Sequence, residues 1–138
     1  YAMTPNSRSE GTRWIAQADR DIEDARLLSD NGRHNLACFM SQQAGEKAIK
    51  GYLYHHGAED VWGISLADLC EDASVVNRMF DVIKSQAVLL DKYYLVTRYP
   101  HVLPSGLPSD AYDSIDSDRA IHIAREVIEF VRVQLMEE

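Results

Sequence analysis

Several things are scarce in this sequence, and each scarcity excludes something. No stretch approaches the ~18–20 consecutive apolar residues that a membrane span needs, and Tyr1–Glu10 (YAMTPNSRSE) has no apolar segment of the signal-peptide kind. A protein with no membrane partner is the expectation. Positive charge is short as well: 14 Lys and Arg stand against 22 Asp and Glu, a formal net charge of −8. Coating nucleic acid through an overall field needs clustered cations that displace counterions, so any nucleotide or RNA site must be local. Cys38 and Cys70 lack both a CxxC partner and a His at metal-ligand spacing. They read as isolated thiols of a reducing compartment, and a cytoplasmic location is expected. His55 and His56 are adjacent, about 100° apart around a helix, which makes a poor pair of metal ligands. GxxxxGK(S/T), GxGxxG, HExxH and a Ser-centred elbow are all missing, so neither a metal nor a cofactor is implied.

What is present is helical. The composition, 46% hydrophobic and 26% charged, is that of a globular protein, and one domain of this length buries roughly 70% of its unfolded surface. Met3 to Gly11 is polar and aperiodic, so residues 1–11 are expected to be a frayed or disordered lead-in, or a cloning remnant before a start at Met3, with a single domain over 12–138. From Thr12 onward Trp14, Ala18, Ile22, Ala25 and Leu28 recur at helical steps, and Asn31-Gly32 is a left-handed stop. A second helix runs from Asn35 to His56 and ends at Gly57. A short third is expected over Gly63–Ala73 with Ser65 as N-cap. A fourth is expected from Ser74 to Thr97, turning Val75, Met79, Val82, Ile83, Ala87, Leu90 and Tyr94 inward, until Pro100 forces a stop. Tyr99 to Ser114 holds three of the four prolines and reads as a loop, longer than a compact bundle needs and therefore functional or disordered. The last helix is expected from about Ser117, capped by Asp116 or Ser117, burying Ile121, Ala124, Val127, Ile128, Val131 and Leu135. No strand-like alternation occurs. The expected fold is all-α, an up-and-down bundle of about five helices.

The second helix has two faces. Leu36, Met40, Ala44, Ala48 and Gly51 form an apolar, small side, and Gln43, Glu46, Lys47 and Lys50 form a polar stripe beside it. Gly45 and Gly51 each cost roughly 1 kcal/mol in a helix interior, so another backbone or a ligand is expected to come close. Tyr94, Arg98, Tyr99 and His101 lie where the fourth helix meets the loop. Were this junction to meet the stripe, Arg98, Lys47 and Lys50 would suit a phosphate, Gln43 and Glu46 would orient it, and Tyr94 or Tyr99 would stack on a base. The purely structural alternative pairs Glu46 with Arg98, leaves Lys47 and Lys50 solvated and lets the tyrosines cap the core.

The segment Ala37–Leu53 (ACFMSQQAGEKAIKGYL), followed by Leu90–Pro100 (LDKYYLVTRYP), resembles the HEPN domain family, which shows A-x-F-x-x-QQA-x-EKA-x-K-A-x-L and a later Y-x-x-x-RYP. The likeness extends from about Trp14 to Leu135. It implies a helical bundle that commonly pairs as a homodimer. It also implies a role in nucleotide or RNA chemistry, often beside a minimal nucleotidyltransferase partner in prokaryotic two-gene, toxin–antitoxin-like systems. The matching positions are Gln43, Glu46, Lys47, Lys50, Tyr94, Arg98, Tyr99 and Pro100. Nuclease members carry Arg-x4–6-His. Here His101 follows Arg98 with only two residues between, and Arg119 and His122 are as close. Arg98 and His101 are therefore weak catalytic candidates, and a non-catalytic module is expected over a metal-independent ribonuclease. A pure protein-interaction module is the other alternative. Ile64-Ser65-Leu66 stands where relatives often read His-Ser-Leu.

Overall fold

The computed structural model describes residues 2–138. It contains α1 (Pro5–Asp30), α2 (His34–His55), α3 (Leu66–Val76), α4 (Phe80–Ala87) and α5 (Ser114–Met136), with 3-10 segments at Val88–Tyr93, Pro100–Val102 and Pro108–Asp110. No strand occurs among the described residues, and the all-α bundle of five helices is the one expected.

α1 and α2 are long and joined by a tight turn in which Gly32 adopts φ 76°, so they lie antiparallel and make the most extensive packing in the molecule. Their crossing depends on two glycines. A Cβ on Gly51 would stand 2.8 Å from Ile15 Cγ1 and 3.0 Å from the Gly11 carbonyl oxygen, and a Cβ on Gly11 would stand 2.7 Å from the Gly51 carbonyl oxygen. The close neighbour anticipated for Gly51 is therefore the backbone of α1. Gly45 instead makes room for Leu90 and Leu66, whose methyls would lie 2.7 and 2.8 Å from an added Cβ. α5 closes the bundle over α2, and Ile121, Ala124, Val127, Ile128 and Val131 join its core.

Five expectations need correction. α1 begins at Pro5, not Thr12: Thr4 and Ser7 form a reciprocal capping box with Pro5 in the first turn, and Ser7 Oγ donates to the His55 carbonyl (3.1 Å). This turn is held by cap chemistry and a small-residue crossing, so it shows no apolar period. Of the supposed lead-in, residues 5–11 are helix, and Tyr1 lies outside the described residues. The supposed single fourth helix is broken. α3 continues to Val76, Asn77 is extended at φ −146° and ψ 109°, and Asn77 Oδ1 accepts from the Met79 amide (2.9 Å). An Asn side chain that offers the backbone this alternative competes with helix. Val75, Met79 and Val82, expected on the apolar face, are 87%, 48% and 65% exposed. Leu36, expected on the core side of α2, is also exposed. Finally, α5 is capped by Asp113, whose Oδ1 accepts from Ile115 and Asp116 (3.0 and 3.1 Å), while Asp116 returns a bond to the Asp113 amide (3.0 Å). The amides of Asp116 and Ile115 accordingly hold the Asp113 carboxyl below its ordinary value of 3.8. Leu135 is half-buried at the far end of this helix.

Candidate functional site

The polar stripe of α2 is taken up by two separate ion pairs. Lys47 Nζ donates to Asp21 Oδ2 of α1 (2.6 Å), with the carboxylate 3% exposed, and Gln17 Nε2 holds the other Asp21 oxygen (2.9 Å). One turn on, Lys50 Nζ donates to Glu46 Oε2 (3.1 Å), both side chains nearly buried. Glu46 Oε1 accepts from Gln42 Nε2 (3.3 Å), Gln42 Nε2 also reaches the Ile64 carbonyl (3.1 Å), and Gln43 Nε2 donates to Gln42 Oε1 (2.7 Å). Buried charges persist when paired and hydrogen-bonded, and each of these two pairs satisfies both conditions. The solvated lysines of the structural alternative are thus not found, nor is its Glu46–Arg98 pair, because Glu46 is taken by Lys50. Gln42, fully buried, carries as much of this network as Gln43. Its signal in the sequence was the paired glutamine, which periodicity alone assigns to no face.

Arg98 sits in a different setting. Its Nε and Nη2 both donate to the Tyr94 carbonyl (2.9 and 2.7 Å). The guanidinium carbon lies 4.0 Å from the Phe39 ring centre, 4.7 Å from that of Tyr94 and 5.1 Å from that of Tyr99. No carboxylate among the described residues pairs with it. Two bonds fix the turn beneath: Thr97 Oγ1 donates to the Tyr93 carbonyl (2.7 Å) and Asn35 Nδ2 to the Thr97 carbonyl (2.9 Å). The second ties this turn to the start of α2. Tyr99 is exposed, and its ring centre lies 5.9 Å from that of His101.

The two halves of the sequence-derived site do not converge. Arg98 rests on Phe39, and Lys47 follows Phe39 by eight residues, about 12 Å along a helix axis; Lys50 is about 16 Å away. One phosphate cannot be held by Arg98, Lys47 and Lys50 together. Tyr94, Arg98, Tyr99 and His101 do form one cluster, whereas Gln43, Glu46 and Lys50 meet around Gln42 and Lys47 turns to Asp21 of α1.

Other chemistry-bearing groups are closed off. Ser117 Oγ lies 2.9 Å from His34 Nδ1 and 2.8 Å from Ser29 Oγ, a hydroxyl–imidazole pair that sequence reading missed because its members are 83 positions apart. Ser117 is fully buried, so its hydroxyl joins helices and cannot meet a substrate. Burial pushes the Cys38 and Cys70 thiols up to about 12, which removes them as nucleophiles near neutral pH. Among the described residues no group of three or more His, Cys, Asp or Glu could hold a metal ion, and no helix is long and apolar enough to cross a membrane.

The family model of the HEPN domain matches residues 12–134. The chain belongs to the HEPN domain family. Its fold is similar to that of TT1696 from Thermus thermophilus, with 32% identity and a TM-score of 0.84 over 89% of this chain and 96% of that one. It is also similar to ST0689, described as an archaeal HEPN homologue, with 39% identity and a TM-score of 0.74 over 91% and 97%. A HEPN domain protein of Thermotoga maritima, TM0613, shares 31% identity and a TM-score of 0.72 over 91% and 99%. No curated protein matches the chain. In this HEPN chain the first motif supplies the two interior ion pairs, and the Arg98-Tyr99-Pro100 motif supplies the aromatic-ringed guanidinium.

Proposed function

We propose that this HEPN domain is a nucleotide-binding or RNA-associated module that acts by binding, with Arg98 as its phosphate contact and Tyr94 or Tyr99 against a base. The observation that carries this reading is the state of Arg98. A guanidinium oriented by two bonds to a carbonyl, flanked by three rings and unpaired with any described carboxylate keeps its remaining N–H donors for an anion, and guanidinium forks match phosphate oxygens. The exposed Tyr99 ring and the half-buried Tyr94 ring beside it suit a base. Family membership supports the further expectations: pairing as a homodimer, and action beside a minimal nucleotidyltransferase in a prokaryotic two-gene, toxin–antitoxin-like system. The two unpaired, buried thiols support a cytoplasmic setting. The chain from Pro5 onward acts as one domain in this proposal.

Thermal unfolding with and without millimolar ATP, other nucleotides and a short RNA tests the reading. A ligand that binds only the folded state raises the midpoint by mass action. The expected result is an upward shift that shrinks clearly in Arg98→Ala. No shift with any of these ligands would leave a protein partner as the occupant of this surface. Chelator-insensitive RNA cleavage that disappears in His101→Ala would replace binding with ribonuclease action by Arg98 and His101.

A further inference from the structure

Glu10, Arg13, Gln17 and Arg20 recur along α1 at three- and four-residue steps and so share one side, with Trp14 and Asp21 on its flank toward α2. Glu10, Arg13, Trp14, Gln17, Arg20 and Lys47 line a groove of about 490 Å³, within the ~300–1,000 Å³ range of small-molecule sites. Arg13, Arg20 and Lys47 reach this opening, each with a carboxylate partner in Glu10, Glu23 and Asp21, and only the two arginines are exposed enough to exchange that partner for a ligand. The two arginines are loosely committed. Their side chains are each 76% exposed, and their partners are helix neighbours, the half-buried Glu10 at 2.9 Å and the exposed Glu23 at 3.4 Å. Such surface pairs are weak and yield to a stronger anion. They stand about 10 Å apart along the helix, with Lys47 fixed between α1 and α2 by Asp21.

The aromatic member is rigid. Trp14 stacks on Tyr54 with ring centres 5.1 Å apart and planes at 25°, and its indole N–H donates to Glu10 Oε1 (3.1 Å). A held indole, with Lys50 Nζ 5.9 Å from its ring centre, beside exposed guanidiniums combines a base platform with phosphate ligands, which an acidic peptide would not require. We propose that this α1–α2 groove is a second site, separate from Arg98, for a phosphorylated nucleoside, either as a free nucleotide or within a short RNA strand. Arg13 and Arg20 hold phosphate oxygens, and Trp14 packs against the base. The choice of ligand class rests on the binding reading given above for Arg98; the residues do not.

The sequence has two tryptophans, and the other, Trp62, is 84% exposed. Trp62→Phe therefore leaves Trp14 as the only indole reporter at little structural cost. In that protein, titration with ATP or a short RNA is expected to change Trp14 fluorescence. The response should weaken about tenfold or more in Arg13→Ala/Arg20→Ala, strengthen in Glu10→Gln, and persist in Arg98→Ala. A stronger response to ATP than to RNA would assign the free nucleotide, and the reverse would assign the strand. An unchanged affinity in the double arginine variant overturns the site, as does an equal response to inorganic phosphate or to oligoglutamate. A silent Trp14 alongside a thermal shift that still depends on Arg98 would remove this groove and leave the Arg98 reading standing. No response of either kind to any ligand would remove both.

Discussion

Lys50 and Arg98 carry the same charge and belong to the two motifs that define the chain, yet they face opposite conditions. Lys50 is 11% exposed in its side chain and bonded to a carboxylate that is 8% exposed. Arg98 is bonded only to a backbone carbonyl and ringed by aromatic faces. A cation whose charge is already neutralised inside the fold has little to offer a ligand, whereas one held in place without a counter-ion does. Residue type and spacing made these two positions equivalent. Their partners separate them.

The largest effect should come from breaking the interior pair. Lys50→Ala leaves the Glu46 carboxylate buried and unpaired and is expected to cost about 3–5 kcal/mol in denaturant unfolding. Lys50→Met/Glu46→Leu, which removes both charges, should recover most of that stability. If Lys50→Ala cost no more than Arg98→Ala, the contrast between the two cations would collapse.

Next comes the crossing that brings Lys47 to Asp21. In an open helix Gly→Ala gains about 1 kcal/mol, but a methyl on Gly51 meets the Gly11 carbonyl and Ile15 at 3.0 and 2.8 Å. Gly51→Ala should therefore destabilise by about 1–3 kcal/mol through overpacking. A gain in unfolding midpoint would show that α1 and α2 are not clamped here.

The smallest effect is a pH dependence at the same end. Burial, and then the charge of neighbouring His56, lower the value of His55 from its ordinary 6.5. The folded state thus binds this proton less readily than the unfolded chain. Stability is fully present above pH 6.5 and declines as pH falls from there toward the folded value. The decline over that window should be shallower in His55→Gln, measured by thermal unfolding at stepped pH; an identical slope would clear His55 of the effect.

Much of this was legible beforehand, for identifiable reasons. The helical repeats of Ile22 and Ala25, and of Ile121 and Val131, marked α1 and α5 because apolar burial leaves a period. Asn31-Gly32 marked the turn because only a left-handed residue fits there. The start of α1 left no apolar trace, since Thr4, Ser7 and Gly11 act through caps and close approach. The break at Asn77 was hidden because Val75, Met79 and Val82 keep a helical period while facing solvent. At the site, the residue types were visible but not their pairings: Asp21 lies 26 positions from Lys47, and nothing local announces that contact. The basic side of α1 was overlooked because Arg13 and Arg20 look like an ordinary solvated face until Lys47 and Trp14 complete the groove.

The most direct test is the ligand-induced thermal shift, measured with a short RNA and with ATP, in the wild type, in Arg98→Ala and in Lys50→Met/Glu46→Leu. A shift that shrinks in Arg98→Ala and is kept in the double variant is the predicted result. A shift kept in Arg98→Ala and lost in the double variant would contradict it, because the interior ion pair would then be the ligand site and Arg98 a structural clasp.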